Sequence, residues 1–249
     1  MKDKILSDKL TDAVLITGAS RGIGLATAKR LAAEGRAVIG LARNPPDNFP
    51  GLFVEADLAD RDATDQLLQA IADSHEISGL VNNLGLNVLQ RVDDVNLDSF
   101  DRVIDLNLKL SIQCVQAFLP GMRARKYGRI VNISSRGALG RINRTSYSAA
   151  KAGIIGMTRT WAVELASDGI TVNVVSPGAT ATEMFRKNNL EGKDPAVVEG
   201  WLSEIPMRRF GEPDEIAAGI AFFLSPAASY ITGQTLHVCG GMTIGLAAM

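Results

Sequence analysis

The sequence predicts a single α/β domain built on a doubly wound parallel sheet of about seven strands, with helices on both faces. Short apolar runs alternate with longer segments of helical periodicity along the whole chain. Continuous apolar runs are typical of parallel strands, which are buried on both faces. An apolar content of 46% in 249 residues is enough for one large core. We therefore expect one domain over residues 1–249.

The first elements are a strand, a glycine-rich turn and a helix. Residues 13–17 form an apolar run that predicts the first strand. Leu25, Ala28 and Leu31 then recur at helical spacing, and Gly35 ends the helical pattern. This order is the beginning of a strand–helix–strand unit.

The remaining elements continue the alternation. Residues 43–51 are short and rich in proline, so we expect a bare loop rather than a helix between the second and third strands. Further strands are predicted at residues 37–42, 52–56, 79–83, 129–133, 170–175 and 235–238. Further helices are predicted at about residues 61–73, 99–125, 147–166 and 213–224.

Composition and charge exclude several classes of partner. A formal net charge of −1 provides no field that would attract nucleic acid or an anionic membrane. Residues 1–5 lack an apolar signal core, and no apolar run reaches the roughly 18 residues needed to span a bilayer. We expect a cytoplasmic protein. No metal site is expected, because the four possible soft ligands lack ligand spacing and are interpreted as structural: Cys114, Cys239, His75 and His237.

A nucleotide site is predicted at residues 17–24, Thr-Gly-Ala-Ser-Arg-Gly-Ile-Gly. Glycines at a strand-to-helix turn let backbone N–H groups approach a pyrophosphate, and the helix dipole favours its charge. No carboxylate follows the second strand to bind a ribose hydroxyl, whereas Arg43 and Arg21 can hold a 2′-phosphate. This favours NADP(H). The alternative is that both arginines are solvated surface charges.

Reactive chemistry is predicted at Tyr147 and Lys151. Residues four apart on a helix share one face, and a cation beside a phenol lowers the phenol pKa towards neutrality. Upstream, the strand at residues 128–133 is followed by Ser134 and Ser135, hydroxyl donors for the same substrate oxygen. The alternative is an ordinary exposed tyrosine and lysine one turn apart.

These motifs together resemble the short-chain dehydrogenase/reductase family. In order along the chain they are residues 17–24, the Asn-Asn-Leu-Gly of residues 82–85, Asn107, the serines, Tyr147 with Lys151, and Pro177 with Gly178. The likeness covers essentially the whole chain and is greatest to 3-oxoacyl-(acyl-carrier-protein) reductases. It implies a Rossmann-like fold and hydride transfer between NADPH and a carbonyl or secondary alcohol.

The resemblance also implies a catalytic set. Tyr147 would be the acid, while Lys151 would hold the nicotinamide ribose and lower the tyrosine pKa. Asn107 would support a water that returns the proton. The usual family spacing back from Tyr147 selects Ser134 as the fourth member, whereas the strand register selects Ser135. We expect Ser135, because a one-residue slip would reverse every side chain of the strand.

A cofactor-binding set follows from the same resemblance. Leu84 stands where the family has a small residue, so different packing is expected near the adenosine ribose. The residues implied are Gly18, Ser20, Arg21, Gly22, Ile23, Gly24, Arg43, Asp57, Leu58, Asn83, Gly85, Tyr147, Lys151, Pro177, Gly178, Thr180 and Thr182.

Three functions stay open from the sequence. The first is an NADPH-dependent ketoreductase acting on a small-molecule carbonyl or a carrier-protein-linked substrate. The second is a cyclic-alcohol or dihydrodiol dehydrogenase, because the short loop at residues 43–51 also resembles 2,3-dihydro-2,3-dihydroxybenzoate dehydrogenases. The third is a non-catalytic dinucleotide-sensing protein, since a fold does not fix a function.

Two further expectations concern the substrate and the assembly. Residues 183–205 are interpreted as a substrate lid, polar in their first half and carrying apolar side chains that can press inward. Arg141 and Arg144 would meet an anionic substrate or a phosphopantetheine, or else are solvated. A homotetramer is implied by the family and by the small residues of the predicted helix at 147–166: Ala149, Ala152, Gly153 and Gly156.

Overall fold

The computed structural model describes residues 9–186 and 190–244 of the chain. Its strands are β1 Ala13–Thr17, β2 Val38–Ala42, β3 Leu52–Glu55, β4 Ile77–Asn82, β5 Gly128–Ile133, β6 Ile170–Pro177 and β7 Thr235–Val238. They form one 7-stranded parallel sheet in the order β3-β2-β1-β4-β5-β6-β7. The predicted fold class is confirmed.

Helices cover both faces of this sheet. They are α1 Gly22–Ala33, α2 Arg61–Ser74, α3 Leu97–Ile104, α4 Leu110–Arg125, α5 Thr145–Leu165, α6 Pro195–Ser203 and α7 Pro213–Leu224. Short helical turns occur at Val92–Asp94, Arg136–Leu139, Ala166–Asp168, Glu183–Phe185 and Pro226–Ala228. One apolar core packs α2, α4 and α5 on one face, and a second core packs α1 and α7 on the other.

Two helix predictions differ from the structure. The helix expected at about residues 99–125 is three segments, because a π-helix at Asp105–Lys109 joins α3 to α4. Helix α6 lies in the second half of the segment interpreted as a lid, where no helix was assigned from the sequence. It begins with Pro195 in the first turn, and Asp194 caps it by accepting a hydrogen bond from the Ala196 N–H at 2.8 Å. Aspartate followed by proline is a helix-start signal that outweighs the weak apolar periodicity of this segment.

The crossover from β2 to β3 contains no helix, as predicted. Phe49 from this loop covers the strand instead. A methyl group at Gly40 would lie 2.4 Å from the Phe49 ring, so the ring rests directly on the β2 backbone. The ring also meets Phe53 edge-on, with centroids 5.1 Å apart. One aromatic side chain therefore covers part of the sheet where a crossover helix would otherwise pack.

The order of the strands reverses between β1 and β4, which lie side by side. At such a point the connections leave in opposite directions, so a crevice opens at the carboxyl ends of the two strands. The glycine turn after β1 and the Asn83–Gly85 segment after β4 border this crevice. Across the described residues, we find no helix whose length and apolar character would let it cross a membrane.

A buried polar chain links the sheet to α5. Asn82 Nδ2 donates to Asn132 Oδ1 at 2.8 Å, and Asn132 Nδ2 donates to Thr158 Oγ1 at 2.8 Å. Asn132 and Thr158 have no exposed surface. Because a buried amide without a partner is costly, these bonds favour one position of α5 on the sheet.

Candidate active site

The turn after β1 brings the backbone itself to the crevice. Gly18 and Gly22 have φ values of 67° and 56°, a region that residues with a side chain rarely adopt. A methyl group at Gly24 would lie 2.4 Å from the Gly18 carbonyl oxygen, so α1 packs against the turn in a way that only glycine permits. The predicted glycines are therefore required by the geometry of the turn.

Asn83 holds this turn in place. Its Nδ2 donates to the Thr17 carbonyl at 2.9 Å and to the Gly18 carbonyl at 3.1 Å, while its N–H donates to Thr17 Oγ1 at 3.1 Å. The Leu84 N–H also donates to Thr17 Oγ1, at 3.0 Å. Leu84 packs against the core beside the crevice, which accommodates the larger side chain noted in the sequence.

The crevice is a cleft of about 580 Å³, a size suited to a large ligand. Eleven predicted cofactor residues line it: Gly18, Ser20, Arg21, Gly22, Ile23, Arg43, Asp57, Leu58, Asn83, Gly85 and Thr182. The lining residues that were not predicted are Ala42, Asn44, Pro45, Ala56, Ala59, Leu84, Leu86, Arg102, Leu106 and Glu183. Most of these adjoin a predicted residue, as Leu106 of the π-helix adjoins Asn107, but Arg102 of α3 had no local sequence signal.

The charges around the cleft suit a phosphorylated ligand. Helix α1 begins beside it with no side-chain cap and no acidic residue in its first turn. Arg21 and Arg43 are exposed and form no ion pair with a carboxylate within residues 9–186 and 190–244. The exposed Asp57 accepts a hydrogen bond from the Ala59 N–H at 3.1 Å. These features fit a dinucleotide with a 2′-phosphate at Arg43 and a pyrophosphate at α1.

The predicted residues between positions 177 and 182 differ in their position relative to the cleft. Thr182 lines the cleft, and a methyl group at Gly22 would lie 3.2 Å from its Cγ2 atom. Its hydroxyl accepts the Phe185 N–H at 3.1 Å. Pro177, Gly178 and Thr180 do not line the cleft in this structure: Gly178 packs against Cys239, and Thr180 pairs with Gly211.

The two candidate serines point in different directions. Ser134 is buried and donates to the Lys151 carbonyl at 2.7 Å, so its hydroxyl is occupied within the fold. Ser135 is partly exposed, accepts the Gly137 N–H at 3.0 Å, and interacts with the Tyr147 hydroxyl. A methyl group at Gly137 would lie 3.2 Å from Ser135 Oγ and 3.3 Å from the Tyr147 ring. The structure thus brings Ser135, rather than Ser134, to Tyr147.

Lys151 is deeply buried, with only 3% of its surface exposed. Its Nζ donates to the Ile133 carbonyl at 2.8 Å and lies 5.7 Å from the centre of the Tyr147 ring. Burial lowers the pKa of Lys151 from its ordinary 10.5 to about 7. The amine is therefore not a permanent cation at neutral pH.

The Tyr147 pKa differs from the expectation. Burial raises it, and this effect exceeds the lowering by the Ser135 hydrogen bond and by the charge of Arg144. Lys151 is not among the groups that shift the Tyr147 pKa. The expected lowering by Lys151 is therefore not seen, and Tyr147 is a protonated acid at neutral pH.

Asn107 lies in the π-helix, a distortion that is frequent at functional sites. Its Nδ2 donates to the carbonyls of Leu86 and Val103, at 2.9 and 2.8 Å. Its Oδ1 is buried and has no partner within the described residues. A methyl group at Gly85 would lie 2.8 Å from this oxygen and 3.2 Å from Lys151 Nζ, so both atoms border one small space. An acceptor left open there fits a bound water.

The lid interpretation of residues 183–205 stays a prediction. Residues 187–189 and the Met184 side chain lie outside the described part of the chain. Within that part, the Phe185 ring meets Phe210 at 5.1 Å, and Arg136, next to Ser135, is 4.0 Å from Glu204. The segment therefore contacts the neighbourhood of the reactive residues.

Comparisons with known proteins agree with this geometry. A family model described as enoyl-(acyl carrier protein) reductase matches residues 18–243. A Synechocystis sp. protein named 3-oxoacyl-(acyl-carrier-protein) reductase is 42% identical over 245 residues, which are 92% of this chain and 96% of the relative.

Two solved structures are similar over nearly the whole chain. One is a short chain dehydrogenase/reductase family protein, with 34% identity, a TM-score of 0.83, and coverage of 96% of this chain and 100% of the other. Another is a putative NAD(P) dependent gluconate 5-dehydrogenase from Beutenbergia cavernae with bound NADP, with 29% identity, a TM-score of 0.85, and coverage of 96% and 98%.

Replacing Lys151 by methionine should make the relative stability of the variant depend on pH: the variant loses the hydrogen bond to the Ile133 carbonyl but gains most at low pH, where the wild-type protein buries a charged amine. The folded-state pKa of about 7 lies below the ordinary 10.5, so the cost of burying the charge is full below pH 7 and vanishes as the pH rises towards 10.5. Urea unfolding should give Lys151→Met an advantage at pH ~6 that exceeds its advantage at pH ~10 by about 2 kcal/mol or more. The exposed-lysine control Lys29→Met should show no such change; an advantage of Lys151→Met that is equal at both pH values would contradict the expectation.

Proposed function

The chain belongs to the short-chain dehydrogenase/reductase family, and we propose that it is an NADPH-dependent ketoreductase of the 3-oxoacyl-(acyl-carrier-protein) reductase type. One observation carries the proposal. Tyr147 and Ser135 interact within the fold, while Lys151 Nζ and Asn107 Oδ1 border one space beside Gly85, which lines the cleft suited to a dinucleotide.

Each side chain of the predicted catalytic set has a distinct role in carbonyl reduction. NADPH, when bound, supplies the hydride. Tyr147, kept protonated by its raised pKa, is the acid that gives a proton to the developing alkoxide. Ser135 donates a hydrogen bond to the same oxygen. Lys151 holds the nicotinamide ribose, and a water on Asn107 returns the proton.

The cofactor is NADP(H), in keeping with the NADP bound by the gluconate dehydrogenase relative. The preference for NADPH over NADH is part of the proposal. It is supported by Arg43 and Arg21, two exposed cations at the cleft without carboxylate partners in the described part of the chain. The same preference separates the proposal from a dihydrodiol dehydrogenase, which we associate with NAD.

A sensing protein without catalysis would have no need of the buried arrangement around Tyr147. Lys151 and Asn107 both keep costly polar atoms in the interior, and burial of such groups is favoured only where it has a use. The proposed substrate is a small-molecule carbonyl or a carrier-protein-linked acyl group. The cytoplasmic location stays a prediction.

Replacement of each serine by alanine, in two separate variants, distinguishes a catalytic role from a packing role. Ser135→Ala should lower kcat for ketone reduction by about 100- to 1,000-fold, because the oxygen of the transition state loses its hydrogen-bond donor. Ser134→Ala should mainly lower stability, by about 1–3 kcal/mol, since the Lys151 carbonyl loses its buried partner. Steady-state kinetics and urea unfolding of both variants measure this, and equal losses of kcat would refute the assignment of Ser135.

Arg43→Ala should weaken NADPH binding by about 10- to 100-fold and leave NADH binding nearly unchanged, because only NADPH carries the 2′-phosphate. Fluorescence titration of both cofactors gives the dissociation constants. Arg123→Ala is the control, because Arg123 pairs with Asp168 away from the cleft. Equal affinity of the wild-type protein for NADPH and NADH would contradict the proposed preference.

A homotetramer is part of the proposal. Ala149, Ala152 and Gly156 are exposed on α5 beside Val163, which is 83% exposed, whereas Gly153 packs against Leu108 of the same chain. An exposed face of small and apolar residues lets a helix of another copy approach closely. Sedimentation at micromolar concentration should give a tetramer, and a stable monomer would contradict it.

A further inference from the structure

We propose that Arg144 determines substrate specificity by binding the carboxylate of a free 3-oxo acid, so that the preferred ketone is an anion. This rests on the proposed NADPH-dependent ketoreductase function and, of the two substrate classes proposed for it, selects the small-molecule carbonyl over the carrier-linked acyl group. Arg144 lies directly before α5, three residues ahead of Tyr147. Its guanidinium carbon is 5.8 Å from the centre of the Tyr147 ring, so a group bound to it lies next to the reacting carbonyl.

The backbone on both sides of Arg144 is fixed. Its carbonyl accepts the Ser148 N–H at 2.7 Å, in the first turn of α5. The backbone of Arg144 also forms an isolated β-bridge with Gln90, which lies in the loop after β4. The Gln90 N–H donates to the Asn143 carbonyl at 2.9 Å. Asn143 has a φ of 62°, a left-handed conformation that asparagine tolerates. The half-buried side chain is thus carried by an ordered junction rather than by a free loop.

Within the part of the chain that the structure describes, the charge of Arg144 has no carboxylate counterion. The ionisable side chains that act on it are Arg141, a like charge, and Tyr147, and no ion pair with a carboxylate forms within the described ranges 9–186 and 190–244. Burial lowers its pKa, which shows that the charged form is desolvated. The first turn of α5 also lacks an acidic residue and a side-chain cap. An anion beside Arg144 would neutralise a partly buried cation and would meet the positive end of the helix dipole.

The position of Arg144 favours a carboxylate close to the ketone. In a 3-oxo acid one methylene separates the two groups, so the carbonyl can reach Tyr147 while the carboxylate meets the neighbouring guanidinium. In a carrier-linked substrate the whole pantetheine chain separates the phosphate from the ketone, which places that phosphate far from Arg144. NADPH supplies the hydride to the carbonyl carbon and Tyr147 the proton to its oxygen, giving a 3-hydroxy acid and NADP⁺.

The test compares a charged substrate with a neutral one of similar shape. For acetoacetate, Arg144→Gln should lower kcat/KM by about 10- to 100-fold, and the ratio of kcat/KM for acetoacetate to that for methyl acetoacetate should fall by a similar factor. Arg144→Lys should recover part of this ratio of kcat/KM values, because lysine keeps the positive charge but lacks the planar guanidinium that binds a carboxylate through two N–H groups. Arg123→Gln, which removes an exposed arginine paired with Asp168 away from the cleft, should leave both activities within about twofold.

A binding measurement keeps this inference separate from the ketoreductase proposal. Malonate, which cannot be reduced, is titrated calorimetrically into the wild-type and Arg144→Gln proteins, with and without NADP⁺. Loss of malonate binding in the variant supports the inference even if no ketone is reduced, in which case only the ketoreductase proposal fails. An unchanged substrate ratio or unchanged malonate binding overturns the inference, as does a higher kcat/KM for the acetoacetyl thioester of phosphopantetheine than for acetoacetate.

Discussion

The site depends on the register between β5 and α5, which three buried hydrogen bonds fix. Ser134 donates to the Lys151 carbonyl, and Lys151 donates back to the Ile133 carbonyl, so strand and helix are joined reciprocally. Two turns further along α5, Thr158 accepts from Asn132. If the helix slid or rotated, these polar groups would lose their partners inside the protein. The same register brings Tyr147 to Ser135, so the fold itself aligns these two groups.

Three polar or charged groups with unfavourable surroundings lie at the proposed active site. The Lys151 amine has a lowered pKa, the Asn107 oxygen has no partner in the described structure, and Arg144 has a like charge for a neighbour. Each feature destabilises the protein alone and would be relieved by a ligand of matching charge or hydrogen-bonding capacity. Polar groups that the fold positions in advance usually make the largest contribution to transition-state stabilisation. The Tyr147 pKa is likewise raised, because burial outweighs the hydrogen bond with Ser135 and the charge of Arg144.

The sequence was most informative where a residue pattern had one physical meaning. The apolar runs predicted every strand to within two residues, because strands buried on both faces need continuous apolar sequence. The strand register favoured Ser135 over Ser134, and in the structure Ser135 is the serine that interacts with Tyr147, while its catalytic role stays a prediction. The π-helix at Asn107 had no signal, since its five residues keep an ordinary helical pattern and only the hydrogen bonds differ. Arg102 was missed because the packing of α3 against the cleft depends on tertiary contacts.

The bare crossover between β2 and β3 separates two properties of the protein. Phe49 from this crossover packs over Gly40, and the loop that includes Arg43 lies at the far side of the cleft from α5 and the reacting groups. Residues 43–48 can therefore change in length or charge while the register of β5 and α5 stays intact. Because of this separation, related proteins can differ in their preference for NADPH or NADH while the reacting groups stay the same. Replacement of this loop is therefore the most direct way to change the cofactor preference.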